Sequence, residues 1–274
     1  MNDSGTVYRH RLPTRLWHWW NAAVVIVMIM SGLMIFNAHG RLYWGKYGAN
    51  TDASWLEIGS TGTAGYVKLG SSFMIPTTGV LGQWKDQDGN IQRRSFPYWA
   101  TIPSRYSLSA ARRWHLAFAW LLVVPGILYL IASFANRHVQ RDLAPRREEL
   151  SARHIWHDIR DHARLHFPRG EAATRYNILQ KLSYCGVIFV ALPLIILTGL
   201  AMSPGMNAAW PWLLDIFGGR QSARSLHFIA MAAIVAFIIV HLVMVVLAGP
   251  INEVRSMITG RFRVPPPREG EAAS

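Results

Sequence analysis

Charged residues are missing from four long parts of this 274-residue chain, and only 16% of all its residues are charged. The uncharged runs cover residues 16–36, 114–136, 182–214 and 225–252. About twenty apolar residues in a helix cross a bilayer core of about 30 Å, and a helix satisfies its own backbone there. The sequence therefore predicts an all-α membrane protein, a bundle of four transmembrane helices, and argues against a soluble domain.

Cysteine is also scarce, and Cys185 is the only one in the sequence. A single cysteine excludes an intrachain disulfide, and the lack of a C-x-x-C-H motif excludes a covalently attached c-type haem. Cys185 is interpreted as a small buried residue of the third span. Acidic residues are absent from all four runs, whereas a transporter or proton pathway would be expected to place some there.

The predicted spans cover about 17–36, 114–135, 182–202 and 225–248. The first is predicted to be a retained span, because it is long for a signal peptide and no clear cleavage site follows it. Together they form one predicted domain over residues 1–250. The remaining residues, 251–274, are predicted to be a partly disordered tail.

Lys and Arg are concentrated in three segments, 1–16, 136–181 and 249–274. Such residues mark the cytoplasmic side of a membrane protein, and the segment 37–113 is too long to count in this rule. We therefore predict that both termini are cytoplasmic, that the loop 37–113 is periplasmic, and that the protein lies in a bacterial inner membrane. The net charge of +13 is assigned to this topology and to the anionic lipid bilayer, not to nucleic acid.

Four of the eleven histidines lie in or at the ends of the predicted spans: His18, His115, His227 and His241. His227 and His241 share one face of the last helix, about 21 Å apart along its axis. The predicted topology places His18 beside His241 at the cytoplasmic depth and His115 beside His227 at the periplasmic depth. Two imidazoles from facing helices are typical of a bis-histidine haem site in a helical bundle.

Other interpretations of these histidines remain open. Zinc would require three or four ligands, and no carboxylate or thiol lies near either pair in the sequence. Each histidine taken alone is explained by an ordinary structural role. A haem-free transporter or proton pathway and a cofactor-free membrane anchor are the competing functions, and the anchor leaves the paired depths unexplained.

Several residues are candidates for contact with the predicted haems. Gly32 lies fourteen residues after His18, where a glycine lets a porphyrin approach the backbone or simply lets helices pack closely. Arginines near the two depths would meet haem propionates or act as ordinary flanking charges. These arginines are Arg15, Arg112, Arg113 and Arg224.

The histidine positions on the first, second and fourth spans resemble those of the bacterial cytochrome b561 superfamily. This superfamily includes the di-haem cytochrome b subunits of nickel–iron hydrogenases and formate dehydrogenases, and the resemblance covers about residues 10–250. It implies two b haems that carry electrons between a membrane quinone and a periplasmic redox protein or catalytic subunit. Whether the chain forms a homo- or hetero-oligomer stays open at this point. The stretch "FPYWATIPSRYSLSAARRWH" resembles the branch that accompanies sulfite-oxidase-like molybdopterin enzymes.

The stretch "YNILQK", at 176–181, resembles the quinone-binding sequence of the formate dehydrogenase subunit. By that resemblance Asn177 and Gln180 would donate hydrogen bonds to a quinone, although Leu179 stands where the family has glycine. The alternative is that Asn177 caps the third helix.

Two segments outside the spans have predicted structure. The loop 37–113 is too long for a simple connection, so we expect it to have partial structure, including a hairpin turn at "DQDGNIQ", and to dock a redox partner. Segment 151–167 is predicted to be an amphipathic helix at the cytoplasmic interface. Its histidines are an alternative zinc site: His154, His157, His162 and His166, with Asp158 and Asp161.

Overall fold

The computed structural model of the chain describes residues 5–137, 139–164 and 176–266. Within these ranges, four helices are long and apolar enough to cross a membrane, namely Leu12–Phe36, Leu108–Ala135, Ile178–Met202 and Arg220–Ala248. The four predicted spans are confirmed as helices. Each begins several residues before its predicted boundary, because backbone hydrogen bonding continues into the polar turn outside the apolar run.

In chain order the described α-helices are α1 (Leu12–Phe36), α2 (Leu108–Ala135), α3 (Ala152–Ala163), α4 (Ile178–Gly186), α5 (Leu192–Met202), α6 (Pro204–Ala209), α7 (Trp212–Ile216), α8 (Arg220–Ala248) and α9 (Pro250–Thr259). A π-helical turn, Val187–Ala191, joins α4 to α5, so that the third span is continuous. Pro193 follows this turn and has no N–H for the carbonyl of Phe189, which is a local reason for the irregular turn.

The described strands are β1 (Thr6–Tyr8), β2 (Arg41–Leu42), β3 (Leu56–Ser60), β4 (Gly65–Leu69), β5 (Phe73–Pro76), β6 (Trp84–Lys85), β7 (Ile91–Gln92) and β8 (Arg261–Arg263). β2, β3, β4 and β5 form an antiparallel sheet in that order. In β3, Leu56 and Ile58 are buried on one face, where they pack with Phe36 and Leu42. The loop 37–113 therefore has the partial structure that its length predicts. The prediction of an all-α protein was wrong in this respect, since the described chain is mostly helical and carries this sheet outside its spans.

The predicted hairpin turn is present between β6 and β7, which pair in antiparallel fashion. The Asp86 carboxylate accepts hydrogen bonds from the backbone N–H groups of Asp88 and Asn90, at 3.0 and 2.8 Å. Gly89 has a φ of +80°, a conformation that side chains disfavour. These local interactions explain why the turn was predictable from seven residues.

The chain divides into two compact units. The first consists of Met1–Trp20, Pro125–Leu192 and Ala233–Ser274, and the second of Asn21–Val124 and Pro193–Ala232. One predicted histidine pair belongs to each unit.

The tail differs from the predicted disorder where it is described. Residues 250–259 form α9, and β8 pairs with β1 in the register Thr6 with Arg263 and Tyr8 with Arg261. The strand at residues 261–263 was not predicted, because its partner strand lies at the other end of the chain and gives no local signal. Residues 267–274 lie outside the described part.

Candidate functional site

His115 on α2 and His227 on α8 form the first histidine pair, which lies in the second unit. The imidazole rings of His115 and His227 have centroids 6.2 Å apart, with 57° between their planes. His18 on α1 and His241 on α8 form the second pair, which lies in the first unit. The rings of His18 and His241 have centroids 6.3 Å apart, with 61° between their planes. The structure thus brings together the two pairs that the sequence predicts.

A buried hydroxyl holds the ring of His115. The Ser31 Oγ lies 3.0 Å from His115 Nδ1, and it also donates to the carbonyl of Val27 at 2.7 Å. Because the hydroxyl proton is directed to Val27, its oxygen accepts from Nδ1–H of the imidazole. This assignment leaves Nε2 of His115 without a proton and able to bind a metal ion.

The same arrangement recurs behind His227. The Thr198 Oγ1 lies 3.1 Å from His227 Nδ1 and donates to the carbonyl of Leu194 at 2.6 Å. Ser31 and Thr198 are both completely buried. Each imidazole of the first pair is therefore fixed in tautomer and orientation by a hydroxyl from a neighbouring helix.

A glycine follows each of these hydroxyl residues. A Cβ on Gly32 would lie 3.3 Å from His115 Cε1, and a Cβ on Gly199 would lie 3.3 Å from His227 Cε1. Both distances are tight, so a side chain at either position would press on the imidazole. Gly32 was predicted to admit a porphyrin face. That contact stays a prediction, and the structure shows that Gly32 also makes room for the histidine ring.

The second pair is surrounded by aromatic rings. Phe237 stacks on His241 with a centroid distance of 5.8 Å and an interplanar angle of 13°. The ring of Trp19 meets His18 edge-on at 5.1 Å. His18 Nδ1 is buried without a hydrogen-bond partner among the described residues. A buried polar atom of this kind indicates a site whose bonding is not complete within the protein.

Both pairs have the ring separation that a haem site requires. An imidazole nitrogen binds a transition-metal ion at about 2 Å, so two imidazoles on opposite sides of one ion have centroids about 6 Å apart. The observed separations of 6.2 and 6.3 Å meet this requirement. In the described part of the chain, no group of three or more His, Cys, Asp or Glu side chains is placed to hold a metal ion. The donor set fits two axial imidazoles and does not fit zinc.

The start of the long loop is bound to the first turns of α8, shortly before His227. Ser225 Oγ donates to the carbonyl of Tyr43 at 2.5 Å and accepts from Trp55 Nε1 at 2.9 Å. The backbone N–H groups of Gln221 and Ser222, which begin α8, both donate to the carbonyl of Gly45 at 3.1 Å. The loop therefore caps the helix that supplies one histidine to each pair.

Comparison with known proteins identifies the family to which this chain belongs. The family model described as prokaryotic cytochrome b561 matches residues 9–260. The chain belongs to the prokaryotic cytochrome b561 family. It is a multi-pass membrane b-type cytochrome of electron transfer, and haem b is the cofactor that the family implies.

Two relatives show the range of this similarity. The chain is 27% identical over 233 residues to a protein-methionine-sulfoxide reductase subunit, YedZ1, of Azospira oryzae, a match that covers 85% of this chain and 87% of the relative. It is 22% identical over 265 residues to a Ni/Fe-hydrogenase B-type cytochrome subunit of Cupriavidus necator, covering 92% and 85%. No solved structure matches the chain at a comparable level.

The four arginines that were predicted to contact haem propionates have different surroundings in this cytochrome. Arg224 donates to the carbonyls of His39 and Arg41, the latter at 2.8 Å, so its guanidinium holds the start of the long loop. Arg112 and Arg113 are exposed. The Nε of Arg15 is buried without a partner among the described residues. Contact with propionates stays a prediction for all of them, and the structure gives Arg224 a second role.

The predicted quinone residues form a helix cap in this cytochrome. Asn177 Oδ1 accepts from the backbone N–H of Gln180 at 2.8 Å, and Gln180 Oε1 accepts from the backbone N–H of Asn177 at 3.2 Å. This reciprocal capping box favours the alternative that the sequence left open. A role toward quinone would fall to the two amide nitrogens, and it stays a prediction.

A partly buried ion pair lies one residue beyond this cap. Lys181 Nζ is 2.8 Å from both carboxylate oxygens of Glu149. Burial by itself would raise the pKa of Glu149, but the hydrogen bonds from Lys181 and from the backbone N–H of Arg146, together with the positive charges of these two residues, lower the pKa below its ordinary value. The pair fixes the segment before α3 against the start of the third span.

The alternative zinc cluster of α3 is only partly described. His157 Nδ1 lies 3.1 Å from the Asp161 carboxylate, with both side chains well exposed. Asp158 accepts instead from the backbone N–H of Ile178 at 3.3 Å. The side chain of His162 and the whole of His166 lie outside the described residues, so the described part supports a helix and an exposed histidine–aspartate contact.

Ser31 and Thr198 are the functional residues that sequence reasoning missed. A signal was available, because Ser31–Gly32 in the first span and Thr198–Gly199 in the third repeat the same hydroxyl–glycine order. The third span has no histidine, so its sequence gives no direct sign of a role at either pair. A buried hydroxyl in a helix usually bonds only its own backbone, so this order alone does not identify a histidine partner.

Proposed function

We propose that the chain carries electrons across a bacterial inner membrane through two b haems, each bound by one histidine pair. The haems would connect a membrane quinone with a redox enzyme on the periplasmic side. The observation that carries the proposal is the ring separation of about 6 Å in both pairs, each contributed by two different helices. Family membership supports haem b as the group that these imidazoles bind.

The protein side chains would orient the haems and exclude water from them. Ser31 and Thr198 keep the imidazoles of the first pair in one tautomer, and Phe237 packs on His241 in the second pair. A bound haem would supply a reversible one-electron change at iron. α8 would contribute one histidine to each site, His227 and His241.

The proposed topology places both termini in the cytoplasm and the loop 37–113 in the periplasm, as the distribution of Lys and Arg favours. In this orientation the His115–His227 pair lies at the periplasmic depth. The His18–His241 pair lies at the cytoplasmic depth, where we propose that quinone reacts. Asn177 and Gln180, at the start of the third span, are the residues proposed to be near it.

The proposed partner is the catalytic subunit of an oxidoreductase complex. Both relatives are named as subunits of such enzymes, a protein-methionine-sulfoxide reductase and a Ni/Fe hydrogenase. We propose that the sheet of the loop 37–113 receives this partner. Its edge strand β5 exposes Phe73, Met74 and Ile75, with 59, 52 and 42% of each residue accessible.

A loop replacement tests the docking role. Residues 60–95 would be replaced by a Gly/Ser linker, which leaves the loop start bound to α8. The expected result is a retained haem spectrum with lost electron transfer to the partner. Normal transfer in this variant would contradict docking at the sheet.

A reduced-minus-oxidised spectrum of the purified protein tests the proposed function as a whole. We expect a b-type signal that is reduced by quinol. A haem-free transporter or proton pathway would give no such signal. If protein purified from membranes of cells grown with ample iron lacks the b-type signal, the proposal is overturned.

A further inference from the structure

The C-terminal helix α9 lies at the end of a membrane span. α8 ends at Ala248, and only Gly249, with a φ of 109°, separates it from Pro250, the first residue of α9. Proline at the first helical position needs no hydrogen-bond partner for its nitrogen. Since α8 is a candidate span and one residue cannot lead the chain away from it, α9 begins at the membrane surface.

One face of α9 is apolar and exposed. Ile251, Val254 and Ile258 have 86, 40 and 57% of their surface accessible, and the exposed Arg255 lies on the same face. Apolar residues beside arginine on one helical face are typical of a helix that lies in the bilayer interface.

The opposite face of α9 is already bound to the protein. Ser256 is completely buried, the Trp19 indole donates to the carbonyl of Met257 at 3.1 Å, and Glu253 lies 3.5 Å from Arg9. These contacts fix the rotation of α9 about its axis, so its apolar face cannot turn toward the rest of the described fold.

A groove of about 310 Å³ lies between α9 and the residues after β8. Its polar lining is formed by Asn252, Arg255 and Arg263, and its apolar walls include Ile251, Val264 and Pro265. The side chain of Asn252 donates to the carbonyl of Arg263 at 2.8 Å and accepts from its N–H at 3.0 Å, which joins the two elements. Among the described residues, neither Arg255 nor Arg263 forms an ion pair.

We propose that this groove binds the headgroup of an anionic phospholipid. Arg255 and Arg263 would bond to the phosphate, and the apolar face of α9 would contact the acyl region. Two arginines that have no carboxylate partner within residues 5–137, 139–164 and 176–266 suit a phosphate. Apolar walls at the end of a span suit a lipid rather than a soluble anion. The inference depends on α8 being a span and is independent of the haems.

A fluorescent probe tests the site in the full-length protein. Cys185 is replaced by Ser, Ile258 by Cys, and the new thiol is labelled with an environment-sensitive dye. The detergent-solubilised protein is titrated with short-chain phosphatidylglycerol, with phosphatidylcholine of the same chains, and with inorganic phosphate. We expect a saturable blue shift with phosphatidylglycerol only.

Charge variants then assign the effect to the two arginines. Arg255→Gln with Arg263→Gln should weaken the apparent affinity for phosphatidylglycerol about thirtyfold, the effect of two basic groups at a lipid surface. The control, Arg147→Gln with Arg153→Gln, removes the same charge at two exposed positions and should leave the affinity unchanged.

Three results would overturn the proposal. An equal response to the two lipids would show apolar partition alone. An equal response to inorganic phosphate would show a soluble-anion site, and equal affinities of the two double variants would show a general charge effect. The lipid comparison in the labelled parent decides the question even if the arginine variant cannot be purified.

Discussion

The two histidine pairs have nearly the same ring separation, yet different neighbours hold their rings. In the His115–His227 pair a hydroxyl bonds each Nδ1 and a glycine borders each ring. In the His18–His241 pair aromatic rings pack on the imidazoles, and His18 Nδ1 has no partner among the described residues. The spacing follows from the helices, whereas orientation and basicity follow from the neighbours. The two proposed haems should therefore respond differently to substitution.

Enlarging the glycines of the first pair should have the largest effect. Gly32→Val or Gly199→Val places carbon atoms where even a Cβ would be 3.3 Å from an imidazole, so we expect loss of most of the haem at His115–His227. Haem content and the b-type spectrum of the purified variants measure this. Gly186→Val is the matched control, because a Cβ there meets nothing within 4 Å. Equal haem loss in all three variants would indicate a general defect of the bundle.

Removing the hydroxyls should have a smaller and more specific effect. Ser31→Ala and Thr198→Val delete the acceptor for Nδ1–H, and loss of such a bond typically weakens metal affinity about tenfold or more. The rate at which haem is lost to an accepting apoprotein measures the change. The haem of the His18–His241 pair serves as an internal control, and parallel loss of both haems would contradict the assignment.

The two haems of the unaltered protein should also differ in reduction potential. A hydrogen bond to Nδ1–H makes the imidazole more basic, which stabilises oxidised iron. We therefore expect the haem at His115–His227 to have the lower potential of the two. A potentiometric titration resolves the components, and single histidine variants assign them. The opposite order would show that burial or nearby charge outweighs ligand basicity.

The smallest effect is expected at the cap of the third span. Asn177→Ala should cost about 1 kcal/mol of stability, whereas Asn177→Asp keeps the capping oxygen and most of that stability. The comparison also tests the quinone role, because aspartate lacks the amide N–H donor. Slower haem reduction by quinol in Asn177→Asp, with unchanged unfolding, would support a contact with quinone. Unchanged quinol kinetics would leave Asn177 as a cap alone.

Much of this architecture was predictable because the position of a residue along a transmembrane helix sets its depth in the membrane. Twenty uncharged residues define a span, and the positions of His18, His115, His227 and His241 within the spans define which rings meet. The hydroxyl partners were not predictable, since Ser31 and Thr198 also satisfy the carbonyls of their own helices.

Contacts between distant parts of the chain were missed for a similar reason. β8 needs β1 as its partner, and the first turn of α8 needs the carbonyl of Gly45. Neither partner leaves a pattern in the local sequence. Asn177 shows the converse, because its local capping signal was visible and competed with the family resemblance.

The measurement that tests the central claim most directly is the number of b haems per chain in the parent and in four single variants. The account predicts two haems in the parent. It predicts one in His115→Ala and His227→Ala, with the same component lost, and one in His18→Ala and His241→Ala, with the other component lost. A parent with fewer than two haems, or loss of the same component in His18→Ala and His115→Ala, would contradict it.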